Sequence, residues 1–484
     1  MDKPTSITGL TTPIFPAKPS CALVHHGCNG VEYHPKGTVS RLAHTTALRS
    51  IRYHGGCSVE NNGLLLTCSL KSVKPVFYEK VSLLKLSQAK CAIKTSGWNF
   101  RGFLKEHNLT SLTTRTERTP YIDHLRSVMT AFVLLAHTGM TYGGSGSWFY
   151  TEVFNTQSRS SVLLTVYIII SNAYLMSFFF FLAGYFTPAS YRRKGWASFL
   201  QHRLTRLGTP FLLFVLILGP LTVGLVAHFQ GLGFLPTVFG LFRSRTLING
   251  PMWFDEALLL FSLGYCCWYG LRGWPSITPN TIPVPPSYIW LLSTFAVGIG
   301  ALILRQFIPI DRRIIGLWLG NFVPYIFFFC LGAKTNLAGW LSRLKWRQAW
   351  LSIAATALAL PALPAAITLF YAQGGTTSTV RGFSWMNVFY ALWEPFVAAG
   401  LIAIFLLVFR RFVNNSSPLW TWLDRRAYTV YFIHPPILVA LCLSLRHWHA
   451  HALTKFAIAG ILGCVITWLV ASFIIRLPLL RKIL

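Results

Sequence analysis

The chain has 484 residues, of which 53% are hydrophobic, 15% aromatic and only 12% charged; a soluble protein would carry about twice that charge. Several apolar runs reach the roughly 18 residues needed to cross a hydrocarbon core of about 30 Å. This excludes an ordinary soluble protein and points to an all-α, polytopic membrane helix bundle. The net charge of +30 would suggest nucleic acid in a soluble domain. Here the basic residues fall mainly in the N-terminal segment and in short loops between apolar runs, where they set topology and attract anionic headgroups. Membrane lipid, and not nucleic acid, is the expected partner.

Residues 1–118 differ from the rest. They are basic, with scattered Gly and Pro and no sustained apolar period. They read as a disordered or misassigned N-terminal extension, or an organelle-targeting segment, ahead of a membrane domain over 119–484. Five of the ten cysteines lie in this segment. The run CALVHHGC, Cys21 to Cys28, matches no familiar zinc spacing, and no metal site is expected. The other five (Cys266, Cys267, Cys330, Cys442, Cys464) sit in or beside apolar spans as small packing residues.

Ten spans follow in chain order, at about 122–142, 161–186, 210–229, 251–271, 287–304, 314–333, 349–371, 386–409, 427–445 and 456–475. With the N-terminus inside, the inner loops hold YRRK, HRLTR, KWR and DRR. That places about 17 Lys and Arg inside against about 9 outside. The expected topology is therefore N-in and C-in. GGSGS (Gly143 to Ser147) follows no strand and precedes no GK[ST], so it reads as a flexible outer loop and not a phosphate cradle.

The first span begins with an arginine and closes on a histidine, in RSVMTAFVLLAH. Arg126 and His137 are eleven residues apart, three turns plus about 20°, so one helix face carries both, separated by about 16 Å along the axis. Charge on that face is too expensive for lipid, so it must line a polar cavity or lead to one of the interfaces. Glu256 lies near the outer start of span four and Glu394 in the outer half of span eight. His434, in the inner half of span nine, is followed directly by Pro435 and Pro436, which predicts a helix break at His434 facing something polar or, alternatively, a kink histidine satisfied by a backbone carbonyl. Pro361 and Pro364 predict a further break in span seven. Arg203 and Arg206, three apart, share a helical face beside Arg192, Arg193 and Lys194. They suit a polyphosphate or, alternatively, a simple positive-inside anchor.

Together these residues resemble the acyltransferase-3 superfamily of integral membrane O-acyltransferases. The resemblance runs from about 120 to 484. It rests on R-x10-H in span one, FFFFLAGYFTPASYRRKG closing span two, the RLTR arginines, GPMWFDEALL and YTVYFIHPP. GPMWFDEALL and FLAGYFTP are most similar to the branch that modifies periplasmic glucans. The resemblance implies transfer of an acyl group, such as acetyl or succinyl, from an acyl-coenzyme A donor to a carbohydrate hydroxyl, in the plasma (inner) membrane if the source is bacterial. It implies His137 as the essential histidine, Arg126 as the donor-side arginine, and Arg203 and Arg206 as the paired arginines. Trp253, Tyr428 and Tyr431, in the same motifs, become candidate substrate contacts. No tightly bound cofactor is expected, because the acyl-coenzyme is a substrate.

The residues accord with this chemistry. Acyl transfer to an alcohol needs a general base, and an imidazole titrating near neutrality suits the task. A carboxylate could orient it, with Glu256 and Glu394 as candidates and His434 as a second catalytic imidazole. No G-x-S-x-G elbow is present, which favours direct transfer, with a covalent acyl-histidine left open. The alternative from another class is a transporter or flippase using the same polar face as a path. A third reading is a receptor or scaffold whose intramembrane polar groups are structural.

Overall fold

The computed structural model describes residues 119–484 apart from 155–157, 274–281, 376–379, 479 and 481–484. The N-terminal extension, including CALVHHGC, thus lies outside the described residues. Among the described residues the fold is all helical, and the only β pairing is an isolated bridge between Ile314 and Leu317.

The helices are α1 (Pro120–Thr141), α2 (Arg159–Lys194), α3 (Trp196–Phe229), α4 (Phe234–Arg243), α5 (Trp253–Arg272), α6 (Ser287–Phe307), α7 (Phe322–Ala338), α8 (Trp340–Arg343), α9 (Trp346–Ala372), α10 (Trp385–Phe412), α11 (Pro418–Asp424), α12 (Ala427–Ser444) and α13 (Ala452–Ile474). Each of the ten expected spans overlaps one of these helices, although α7 starts at Phe322, well after the expected start at 314. Seven (α2, α3, α6, α9, α10, α12 and α13) are long and apolar enough to cross a membrane by length and composition. Of the other three, α1 carries Asp123 and Arg126, α5 carries Asp255, Glu256 and Arg272, and α7 has 17 residues. The chain is an integral, multi-pass membrane protein.

Local chemistry starts these helices where the sequence allows. Pro120 occupies the first turn of α1, where its missing N–H costs nothing. Ser158, Ser384 and Ser417 accept from the backbone N–H three residues on and cap α2, α10 and α11. Packing then decides the arrangement. α1 lies among α2, α10, α12 and α13, and its Ile122, Leu125 and Met129 are fully buried with Phe178 of α2. Lipid offers no hydrophobic drive between helices, so close approach depends on small residues. On α2 and α7 a side chain at Gly184 would strike the Phe329 carbonyl, and one at Gly332 would strike the Phe181 carbonyl. The two backbones therefore touch at a reciprocal pair of glycines.

The expected breaks at prolines do not occur: α9 runs through Pro361 and Pro364, and α12 through Pro435 and Pro436. In α12 the carbonyl that Pro435 leaves without an amide, that of Tyr431, lies 2.6 Å from Nδ1 of His434. The imidazole replaces the missing donor and the helix continues. In α3 prolines widen the helix instead. π-helical turns at Leu204–Gly208 and Phe214–Leu218 lie directly ahead of Pro210 and Pro220, neither of which can close an i→i−4 bond.

Candidate active site

The face of α1 that carries Arg126 and His137 lines two cavities in succession. The first, of about 340 Å³, is lined by Arg126 and Thr130, by His202, Arg203 and Arg206 of α3, and by Asp255, Tyr428 and Tyr431. It forms where α1, α3 and α12 begin. Arg126 pairs with Asp123 at 3.3 Å and lies over the Phe186 ring. Arg203 donates to Thr187 Oγ1 at 3.1 Å and lies over Phe199. Arg203 stands directly ahead of the π turn over Leu204–Gly208 and Arg206 within it, and both line the cavity with Arg126. Asp255 is fully buried. The Tyr428 hydroxyl lies 2.9 Å from Asp255 Oδ2 and 2.8 Å from the Arg206 carbonyl, and it can donate to one at a time. Three guanidinium groups against one carboxylate make this cavity fit for a polyanion.

The second cavity, of about 480 Å³, is lined by His137 and Met140 of α1, Trp148, Asn249, Trp253, and Glu394 of α10, among others. Met176 of α2 lines both cavities. The first turn of α5 also divides them, with Trp253 on one side and Phe254 and Asp255 on the other. The Tyr431 hydroxyl donates to the Pro251 carbonyl across the same partition.

His137 is partly exposed to the second cavity, and its Nδ1 is buried without a hydrogen-bond partner. Trp148 stacks on the ring, with centroids 3.9 Å apart and planes 14° from parallel. His434 lies 5.3 Å away with its plane at 13°, and its Nε2 is also buried and unpartnered. The sequence placed these histidines at different depths, counted from the starts of their own spans. The structure brings the two rings side by side. Asp424, just before α12, lies 2.8 Å from His124 Nδ1 and accepts from Ser127 Oγ at 2.7 Å. These bonds tie the chain entering α12 to the second turn of α1.

The expected carboxylate partner of His137 is not in place. Glu256 is outside the cavity lining and lies 3.4 Å from Asn249 Nδ2, at its rim. Glu394 does line the cavity, but its Oε2 accepts from Arg305 at 2.5 Å, and both side chains are almost fully buried. Arg305 also donates to the Gly320 carbonyl and Asn321 Oδ1. Among the described residues no carboxylate is bonded to His137.

GGSGS is not a loose loop. Ser145 N–H donates to Thr165, Glu152 N–H donates to the Thr141 carbonyl, and the Glu152 carboxylate pairs with buried Lys455 at 2.5 Å. Gly143, with φ of 108°, makes a turn that other residues rarely adopt. These restraints hold Trp148 on His137.

Sequence reasoning thus missed Trp148, Asp255 and Arg305. Trp148 sits in a loop without periodicity, so nothing pointed it at His137. Asp255 shares its face with Leu258 and Ser262, three and seven residues on, a helical signal that distinguishes it from Glu256. Arg305 falls just past the expected end of span five at 304, outside every expected span. The available signal was an ionisable residue of opposite sign, Glu394, at a similar depth.

No curated protein and no solved structure matches the chain. A family model described as an acyltransferase domain, that of acyltransferase-3, matches residues 119–474, which include every residue of both cavities. The chain belongs to the acyltransferase-3 family and is a membrane O-acyltransferase.

Proposed function

We propose that this acyltransferase takes its acyl group from an acyl-coenzyme A donor held in the arginine cavity and transfers it to a carbohydrate hydroxyl in the histidine cavity, across the membrane. One observation carries the reading: a single face of α1 lines both cavities, and Met176 lines each of them. Arg126, Arg203 and Arg206 would hold the donor's phosphates. His137 lies about 16 Å further along the helix, a distance an extended pantetheine arm can span. Met176 has an unbranched, pliable side chain suited to a wall that admits such an arm. Indole rings (Trp148, Trp253) beside amides (Asn249, Asn321) suit a sugar ring, with apolar faces for its C–H groups and polar atoms for its hydroxyls.

In the reaction, His137 takes the acceptor hydroxyl proton as that oxygen attacks the thioester carbonyl. The carbon–sulfur bond breaks, and the imidazolium returns the proton to the leaving thiolate. By the positive-inside rule the arginine cavity faces the cytoplasm. The test is reconstitution in sealed vesicles of known orientation, with donor on one side and acceptor on the other. Product is expected with donor at the arginine side and acceptor opposite. Product formed only when both share one side would overturn the transmembrane route.

A further inference from the structure

We propose that His434 is the positioning partner of His137, doing through a second imidazole what a carboxylate does in a hydrolase triad, and that Pro435 sets the tautomer that makes this possible. The inference rests on His137 acting as the base.

Its first element is covalent. Proline has no N–H, so Pro435 leaves the Tyr431 carbonyl without its i→i−4 donor. That carbonyl lies 2.6 Å from His434 Nδ1. A carbonyl oxygen can only accept, so Nδ1 carries the hydrogen. In a neutral imidazole Nε2 is then a bare acceptor. Pro435, by removing one backbone hydrogen, fixes which nitrogen of its neighbour bears a proton.

The second element is spatial. The acceptor so created, His434 Nε2, is buried and has no partner. The ring nearest to it that also has a buried unpartnered nitrogen is His137, through Nδ1. The planes are 13° from parallel and the centroids 5.3 Å apart, a separation at which two imidazoles can bond nitrogen to nitrogen once their planes align. Each orphan nitrogen completes the other.

The third element is chemical. His137 reaches the cavity through its Nε2 edge, because Nδ1 is buried. A base at Nε2 must keep its hydrogen on Nδ1, which requires an acceptor there. Glu394 is engaged by Arg305 and Glu256 is bonded to Asn249, whereas His434 Nε2 is available. When His137 Nε2 takes the hydroxyl proton, the Nδ1–H of the imidazolium donates to His434 Nε2. When the proton passes on to the thiolate, the pair returns to its starting tautomers. Trp148, stacked on His137 at 3.9 Å and parallel to His434 at 5.9 Å, keeps water from competing for this bond.

The experiment combines variants with a spectroscopic readout on the intact enzyme. His434→Asn keeps a donor near the Nδ1 position for the Tyr431 carbonyl but removes the Nε2 acceptor. It should lower kcat by about 10²-fold, within the range of acid–base support, with both KM values unchanged. His434→Gln restores an acceptor at the Nε2 position and should recover part of that loss. Pro435→Ala gives residue 435 an N–H that competes for the Tyr431 carbonyl. It should lower kcat by roughly the fivefold worth of one hydrogen bond, without loss of thermal stability. Nitrogen-15 spectra of histidine-labelled wild-type enzyme should show His434, assigned by subtraction of His434→Asn, protonated at Nδ1 and bare at Nε2. If His434 carries its proton on Nε2, or if His434→Asn turns over at the wild-type rate while His137→Ala is inactive, this inference is overturned and the base assignment stands. If His137→Ala is itself active, the base assignment falls, and the partnership with it.

Discussion

Arg305 and Glu394 form a salt bridge at 2.5 Å between α6 and α10, with side-chain exposures of 1% and 2%. Glu394 lines the cavity that also holds His137, and the Arg305 guanidinium lies over the Tyr390 ring. Breaking a buried pair leaves one uncompensated charge and costs about 3–5 kcal/mol, whereas replacing both members by apolar groups is often close to neutral. Arg305→Met should therefore lower the thermal unfolding temperature in detergent sharply, and Arg305→Met with Glu394→Leu should recover most of the loss. A single variant as stable as the wild type would show that water reaches the pair.

His137→Ala should abolish acylation while the protein still inserts and folds, because the ring packs at the cavity edge and not in the core. Loss of a general base should lower turnover by about 10²–10⁴-fold. Measuring thioester consumption by well-expressed protein checks this, and near-normal turnover would remove the role assigned to His137.

The two carboxylates once considered for His137 should now separate. Glu256→Gln should change turnover little, since Glu256 lies outside the cavity lining. Glu394→Gln should impair acceptor use and stability together, since it leaves Arg305 buried without a charge partner. Equal effects of the two on acceptor KM would contradict this placement.

Arg126→Ala, Arg203→Ala and Arg206→Ala should weaken donor use, each by about tenfold to a hundredfold, the worth of a hydrogen bond to a charged group. Titrating donor at saturating acceptor reads the effect. A raised acceptor KM with donor affinity unchanged would place the donor elsewhere.

Trp148→Ala should uncouple the reaction. With the indole removed, water reaches the imidazole and can replace the acceptor hydroxyl. The ratio of free acid to acylated product should rise, and the total rate of thioester cleavage should fall less than the rate of transfer. An unchanged ratio would mean that another group excludes water.

Much of this protein was legible in the sequence because the bilayer imposes rules that act on local composition. Ten apolar segments had to become helices, since lipid leaves backbone groups no other partner. Arg126 and His137 had to share a face, since eleven residues close three helical turns. The order of the motifs was enough for the family. Tertiary structure decided what depends on the relative height and rotation of helices. The packing of α12 against α1, with Asp424 bonded to His124 and Ser127, brought the His434 ring beside that of His137. Gly184 against Phe329 and Gly332 against Phe181 fixed how closely α2 meets α7. Arg305 turned inward to Glu394, and a hydrogen-bonded loop laid Trp148 on His137. A helix period specifies which residues share a face, but not how far that helix slides along its neighbours. Sliding costs no backbone hydrogen bonds and is fixed only by side chains far apart in the chain, so the partners of His137 emerged only with the packed bundle.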